Sequence, residues 1–173
     1  MAEGQLARLW AGWRIPVYTE DNDRRAQDIP EGLSLFEGIE QSDLPDDVTY
    51  IVWRGDTCFA LLNAYPYNTG HVMVLPKRAV VDLDGLTPEE SAELWDGVKM
   101  AHQAVKAAFD PQGINVGMNL GLASGAGVPT HLHVHVLPRW SGDTNFMTTI
   151  AEARVLPESL PDVWTKLTAA WPA

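Results

Sequence analysis

Histidine occupies every second position of one short stretch of this chain. Three histidines alternate there with three aliphatic residues: His131, Leu132, His133, Val134, His135 and Val136. Successive side chains of a β-strand point to opposite faces, so the imidazoles would share one face and the aliphatic residues would enter the core. Each ring nitrogen needs a hydrogen-bond partner, which makes three adjacent buried imidazoles a poor core. The spacing therefore predicts a functional site on a strand.

Two chemistries use histidines at this spacing. Imidazole is the commonest metal ligand, so the three side chains could hold an ion. A central imidazole held in one tautomer by its neighbours could instead act as a nucleophile. A polar strand face with incidental histidines is disfavoured, because the trio is regular. The spacing alone leaves the metal site and the nucleophile about equally open.

Length and composition predict one globular domain over residues 1–173. The chain is 46% hydrophobic and 20% charged, as in soluble proteins. No apolar run approaches the roughly 20 residues of a membrane span, and residues 1–6 lack the features of a signal peptide. The single cysteine, Cys58, excludes an internal disulfide and favours the cytoplasm. The net charge of −11 disfavours nucleic acid but not a small phosphate ligand.

The order of predicted elements indicates an α+β fold. Short apolar runs predict five strands: Tyr50–Trp53, Cys58–Asn63, His71–Leu75, Ile114–Leu120 and the histidine strand, 131–140. A capping box, Thr87 with Glu90, begins a long amphipathic helix that reaches Phe109. Residues 1–18 and 157–171 predict a helix at each end, with a linker at 19–32 and an acidic turn at 42–47. We expect an antiparallel sheet of about five strands with the long helix on one face.

A loop of small residues precedes the histidines. Residues 121–130 include the phosphate-loop candidates Gly125, Ala126, Gly127 and Val128. Small residues let backbone amides approach an anion closely. Such a loop is weak evidence alone, since a flexible hairpin has the same composition. Its position directly before a regular histidine trio favours a phosphate-binding role.

The alternation His-apolar-His-apolar-His-apolar-apolar at residues 131–137 resembles the signature of the histidine triad (HIT) family. The resemblance covers about residues 58–140. It implies that Asn63 holds the ribose hydroxyls of a nucleotide, that His71 supports the triad and that Asn119 contacts the scissile phosphate. It also implies a homodimer whose sheet continues between subunits, and a nucleotide as the small-molecule partner.

The resemblance implies a covalent mechanism. His133, the middle histidine, would attack the α-phosphorus of a nucleotide and form a nucleotidyl-histidine. Its other nitrogen must donate to an acceptor, such as a backbone carbonyl, so that the attacking nitrogen keeps its lone pair. His135 and Asn119 would stabilise the phosphate oxygens, and His131 and His71 would orient the others. No cofactor is required, although a divalent metal could accompany the phosphates.

Residues 9–14 and 139–146 resemble a bacterial branch of the family that includes diadenosine tetraphosphate phosphorylases. Arg139 could grip inorganic phosphate in a bidentate way, and Trp140 could exclude water or stack on a base. These two residues favour phosphate as the acceptor of the nucleotidyl group. With water instead, the chain would be a HIT hydrolase or phosphoramidase.

The chain departs from the family in two places. Many relatives hold a structural zinc with a Cys-x-x-Cys pair and a histidine, where this chain has Ser34, Glu37 and Ala79, which predicts that the zinc site is absent. The phosphate loop is one residue longer than in eukaryotic branches, and Gly127 or Val128 replaces its usual Ser or Thr. We divide the domain into an N-terminal extension (1–45), a triad core (46–147) and a tail (148–173).

Two functions of other classes stay open beside the enzyme. One is a metal-binding protein with His131, His133 and His135 as ligands, for which no sequence-local fourth ligand is evident. The other is a nucleotide-sensing module that binds without turnover.

Overall fold

The computed structural model describes residues 29–144 and 156–172. It contains four α-helices: α1 (Leu35–Glu40), α2 (Asp46–Thr49), α3 (Pro88–Phe109) and α4 (Leu160–Ala170). It contains five strands: β1 (Ile51–Arg54), β2 (Cys58–Leu62), β3 (Val72–Pro76), β4 (Gly113–Met118) and β5 (Val134–Arg139). Two short 3₁₀ helices cover Leu83–Gly85 and Leu122–Ser124. No helix among these residues is long and apolar enough to cross a membrane.

The five strands form one antiparallel sheet in the order β1-β2-β3-β5-β4. Helix α3 packs on one face, and its N-terminus has the predicted capping box of Thr87 and Glu90. Helix α4 contacts α3 and β1, and the indole of Trp164 donates to the Ile51 carbonyl. The predicted α+β fold, with an antiparallel sheet and a helix on one face, is confirmed.

The two faces of the sheet bury different side chains. The face under α3 is aliphatic and includes Leu132, Val134 and Val136. The opposite face carries a smaller apolar cluster: Phe36, Ile51, Phe59, Leu61, Met73 and Leu75. Helix α1 covers part of this second face through Phe36, which is 4% exposed. The histidines lie on the second face, because they alternate with the aliphatic residues of the first.

Three sequence predictions need correction or fall outside the described residues. The histidine strand begins at Val134, not at His131, because its pairing with β3 and β4 starts there. Helix α1 was not predicted, and α2 begins inside the expected acidic turn. The helix predicted for residues 1–18 lies outside the described residues.

Candidate active site

The three histidines are buried side by side on the face opposite α3. His131, His133 and His135 are 0%, 6% and 9% exposed, and the rings of His133 and His135 are 4.8 Å apart. Burial lowers the pKa of all three imidazoles, because the charged form loses its hydration. Three neutral rings, each with one donor and one acceptor nitrogen, therefore lie in a row.

The central ring, His133, has a defined tautomer. Its Nδ1 lies 2.8 Å from the carbonyl oxygen of His131. A carbonyl can only accept, so Nδ1 carries the proton and donates it. The lone pair of the neutral ring is then on Nε2. A nucleophilic imidazole needs this arrangement, with its second nitrogen donating to a fixed acceptor.

The third ring, His135, is oriented by a chain of hydrogen bonds. The Tyr67 amide donates to Nδ1 of His71 over 3.0 Å, so the proton of neutral His71 is on Nε2. That Nε2 lies 2.9 Å from Nδ1 of His135 and donates to it. The proton of His135 is consequently on its own Nε2, which is buried and has no partner within the described residues.

Burial lowers the pKa of His135 to about 4, and the neighbouring His133 ring makes a smaller contribution in the same direction. The ring is thus neutral near pH 7, with an N–H that a ligand oxygen could accept. Gly70, directly before His71, has φ +78°, and a Cβ there would approach the Phe109 ring to 2.8 Å. Glycine therefore allows the turn that brings His71 under His135.

The first ring, His131, has partners on both nitrogens. Its Nε2 lies 2.8 Å from the Pro76 carbonyl, to which it must donate. Its Nδ1 therefore accepts from the hydroxyl of Ser34, 2.7 Å away. Its one lone pair, on Nδ1, is therefore already used. The described residues contain no group of three or more His, Cys, Asp or Glu side chains placed to hold a metal.

The positions at which the family resemblance implies zinc ligands, Ser34, Glu37 and Ala79, do come together, but their residues do not fit a zinc ion. Glu37 uses one carboxylate oxygen for the Ala79 amide and the other for the Ser34 amide, each at 2.8 Å. Ala79 offers no ligand atom, and the Ser34 hydroxyl is bonded to His131. Hydrogen bonds link these positions in place of the four ligands that tetrahedral zinc needs.

Asn119 follows the last residue of β4. The register pairs Met118 with Val134 and Gly117 with His135, so Asn119 is next in line opposite His133. Directly opposed residues of an antiparallel pair share a face, which places Asn119 on the histidine face. Gly117, opposite His135, leaves the neighbouring space open, since a Cβ there would meet nothing within 4 Å.

The small-residue loop lies between Asn119 and His131. Gly125 and Gly127 are exposed and Ala126 is half-buried. Val128 packs against the cluster of the second face, and its carbonyl accepts from the His131 amide at 3.4 Å. The Ser124 hydroxyl bonds back to the Gly121 carbonyl, which stabilises the turn. The loop therefore begins and ends beside the residues that would hold a phosphate.

Asn63 directly follows β2 on the histidine face and is half-buried. Its side-chain oxygen accepts from the Tyr65 amide at 2.8 Å. That oxygen has a second lone pair, so the predicted contact with a ribose hydroxyl remains a prediction. The apolar cluster that includes Phe59 and Leu61 lies on the same face.

The Arg139 side chain bonds to two residues of the chain, Asp143 and Asn115. Its Nε and Nη2 donate to the two carboxylate oxygens of Asp143, at 2.6 and 2.8 Å, and its Nη1 donates to Asn115 at 2.8 Å. This guanidinium holds the pKa of Asp143 well below its usual range. Asp143 occupies the bidentate face in this structure, and the predicted contact of Arg139 with phosphate remains a prediction.

Trp140 is half-buried and its amide donates to the same carboxylate of Asp143 at 3.1 Å. Its predicted contact with water or a base remains a prediction. The rest of this stretch, Asn145 and Phe146, lies outside the described residues.

A cavity of about 430 Å³ lies between the β2–β3 loop and the start of α4. It touches His71 but none of the three triad histidines, so it is not the candidate site.

Two contributors to the site were missed from the sequence. Ser34 and Tyr67 touch the histidine row from α1 and from the β2–β3 loop, and the Tyr67 ring lies 4.7 Å from that of His71. The spacing of Ser34 and Glu37 is a capping-box signature and would have predicted α1. No sequence signal indicated that Tyr67 packs on a histidine.

The fold and the site define a class of protein in which a row of histidines on an antiparallel sheet carries a nucleophilic imidazole. The HIT domain matches residues 45–142 of this chain. The AP-4-A phosphorylase of Mycobacterium tuberculosis is 42% identical over 173 residues, covering 96% of this chain and 85% of that protein. The chain therefore belongs to the HIT family.

More distant relatives agree with this assignment. An asymmetrical bis(5'-nucleosyl)-tetraphosphatase from Schizosaccharomyces pombe is 37% identical over 93 residues, which cover 54% of this chain and 50% of that protein. Among solved structures, a zinc-bound histidine triad family protein from Mycobacterium smegmatis superposes with a TM-score of 0.64 at 27% identity. That match covers 79% of this chain and 91% of the other.

Proposed function

We propose that this chain is an enzyme that transfers a nucleotidyl group from a dinucleoside polyphosphate through a covalent bond to His133. The observation that carries the proposal is the hydrogen bond from Nδ1 of His133 to the His131 carbonyl. It leaves the Nε2 lone pair for attack on phosphorus. Burial lowers the pKa of His133. The neutral, nucleophilic form of the ring therefore persists at pH values below the usual pKa of an imidazole.

The reaction has two displacements. In the first, Nε2 of His133 bonds to the α-phosphorus, and the bond from that phosphorus to its bridging oxygen breaks. The leaving nucleotide takes the electron pair of that bond and departs as an anion. The Nε2–H of His135 donates to a phosphate oxygen as negative charge builds, with Asn119 beside it. In the second displacement, the acceptor attacks the same phosphorus and returns the lone pair to His133.

Inorganic phosphate is the proposed acceptor. The support is the similarity over nearly the whole chain to a protein named AP-4-A phosphorylase. Arg139 gives no support, since Asp143 occupies its donors. With diadenosine tetraphosphate and phosphate, the products are ADP and ATP. Water as the acceptor would give AMP and ATP, the products of an asymmetric hydrolase.

The active unit proposed here is a homodimer with a continuous sheet. Strand β4 is an edge of the described sheet, and Val116 on it is 44% exposed. An exposed edge offers unpaired backbone groups to another strand.

A cytoplasmic location fits the buried, free thiol of Cys58. A divalent ion could bind with the polyphosphate and lower its charge.

The test measures products and the covalent intermediate together. Diadenosine tetraphosphate is incubated with and without phosphate, and intact-protein mass spectrometry follows the nucleotidyl adduct. ADP should form only with phosphate, and the adduct should be absent from His133→Asn, whose turnover should fall by about 10⁴-fold or more. AMP formed at a rate indifferent to phosphate would identify a hydrolase. Normal turnover by His133→Asn would refute the proposed nucleophile.

A further inference from the structure

The carbonyl that fixes the tautomer of His133 lies outside the sheet. The pairing of β5 with both neighbours begins at Val134, whereas the acceptor belongs to His131. The regular ladder therefore does not set the position of that carbonyl. Another set of contacts must hold the segment from His131 to His133.

Those contacts come from the His131 side chain and the next amide. Nε2 donates to the Pro76 carbonyl over 2.8 Å, and Nδ1 accepts from the Ser34 hydroxyl over 2.7 Å. The Leu132 amide donates to the Val80 carbonyl over 2.6 Å. A fully buried ring that is bonded at both nitrogens can neither turn nor change tautomer without losing a bond.

Ser34 is itself held in place as the N-cap of α1. Its hydroxyl oxygen accepts from the Glu37 amide at 3.2 Å, and its own amide donates to the Glu37 carboxylate at 2.8 Å. The other oxygen of that carboxylate accepts from Ala79, which follows β3 in the chain. The Phe36 ring lies edge-on to the rings of His131 and His133, 5.4 Å from each. The serine hydroxyl is therefore aimed at His131 by several independent contacts.

We propose that Ser34 is a positioning residue for the nucleophile. Its hydroxyl donates to His131, and the His131 ring in turn holds the carbonyl that keeps the His133 proton on Nδ1. Helix α1, which precedes the sheet, thus sets the reactive tautomer of a residue 99 positions later. The kinetic part of this inference rests on the proposed role of His133.

The kinetic test uses substitutions that separate the hydroxyl from the helix cap. Glycine is tolerated at an N-cap with little loss of stability, and threonine keeps a hydroxyl. Ser34→Gly should lower kcat about tenfold, the effect of losing one buried hydrogen bond that positions the reacting group, with KM within about twofold of the wild type. Ser34→Thr should retain most of the activity.

The matched control is Ser159→Gly at the N-cap of α4. Ser159 accepts from the Asp162 amide and bonds to the side chain of the same residue, so it repeats the capping role without touching a histidine. It should leave kcat unchanged. An equal loss of kcat in Ser159→Gly and Ser34→Gly, or no loss in Ser34→Gly, would overturn the inference.

The spectroscopic test does not depend on turnover. The ¹⁵N shifts of the imidazoles in the free protein should show His131 protonated on Nε2 and His133 on Nδ1. In Ser34→Gly, His133 should become a mixture of tautomers. If the wild-type protein showed no turnover, the proposed function would be refuted, and the ¹⁵N shifts would still test the positioning role. Unchanged His131 and His133 spectra in Ser34→Gly would overturn the positioning role even in an active enzyme.

Discussion

The two ends of the histidine row are built in opposite ways. At one end, His131 has a partner on each nitrogen, Ser34 and the Pro76 carbonyl. At the other end, a chain from the Tyr67 amide through His71 reaches His135 and leaves its outer nitrogen without a partner among the described residues. We call these the closed end and the open end. His133, the proposed nucleophile, lies between them.

The difference separates two tasks that one residue type performs. At the closed end, both nitrogens of His131 are bonded within the protein. These hydrogen bonds fix the position of the ring and leave no nitrogen for a ligand. A buried donor without a partner is unfavourable in the free protein, and a phosphate oxygen that accepts from it relieves that cost. We therefore expect the larger losses of rate from changes at the open end and the larger losses of stability from changes at the closed end.

The largest expected effect is on rate at the open end. His135→Ala removes the donor that faces the substrate, and kcat should fall about 10²- to 10³-fold, as for loss of an oxyanion donor. Steady-state kinetics with diadenosine tetraphosphate would measure it. A loss smaller than about threefold would show that the unpartnered nitrogen does not face the reacting phosphate.

The closed end should show its largest effect in stability. His131→Ala leaves the Pro76 carbonyl and the Ser34 hydroxyl without their partner and opens a cavity. The free energy of unfolding should fall by about 3 kcal/mol, measured by urea denaturation. His102→Ala is the control, because His102 is exposed on α3 and its loss should change little. Equal losses of stability in His131→Ala and His102→Ala would show that the hydrogen bonds of the closed end do not stabilise the fold.

Acid should act on the open end before the fold as a whole is lost. The pKa of His135 is lowered to about 4, mainly by burial, against an ordinary value of about 6.5. Between these values the unfolded chain binds the proton that the folded chain excludes, so stability is present above pH 6.5 and falls as the pH drops towards 4. The wild type should lose about 2 kcal/mol more than His135→Ala between pH 7.5 and pH 5. Parallel urea midpoints for the two proteins would contradict this.

The smallest expected effect is at Arg139, which lies on the strand beyond the open end. The guanidinium is bound to Asp143, and its side chain is 41% exposed, so Arg139→Gln should lower stability by about 1 kcal/mol or less. The KM for phosphate should change less than about twofold. A rise of tenfold or more in the KM for phosphate, with stability unchanged, would show that Arg139 contributes to phosphate binding together with the open end.

The residues that the sequence placed well are those whose position follows from a local period. Alternation at period two put the histidines on one face and Leu132 on the other, although the ladder begins only at Val134. The capping box of Thr87 and Glu90 likewise marked the start of α3. Both signals depend only on residues close in sequence and on local backbone geometry. Tertiary packing did not change that geometry.

The features that the sequence did not determine depend on which partner a side chain finds. Arg139 and Asp143 are four residues apart, yet the sequence did not show that their ion pair would form. Ser34 reaches His131 across 97 positions, and a single sequence carries no record of such a contact. The tautomers of the histidines follow from long-range contacts of this kind, so they could only be read from the structure.

Helix α1 also bears on where the smallest working fragment of this chain begins. The HIT domain match starts at residue 45, after Ser34, Phe36 and Glu37. A fragment cut at that boundary would keep all five strands and the three histidines. It would also open His131 to water and uncover Phe59, Leu75 and their neighbours. Truncation mapping should therefore place the limit for activity before residue 34, about ten residues ahead of the limit suggested by sequence similarity alone.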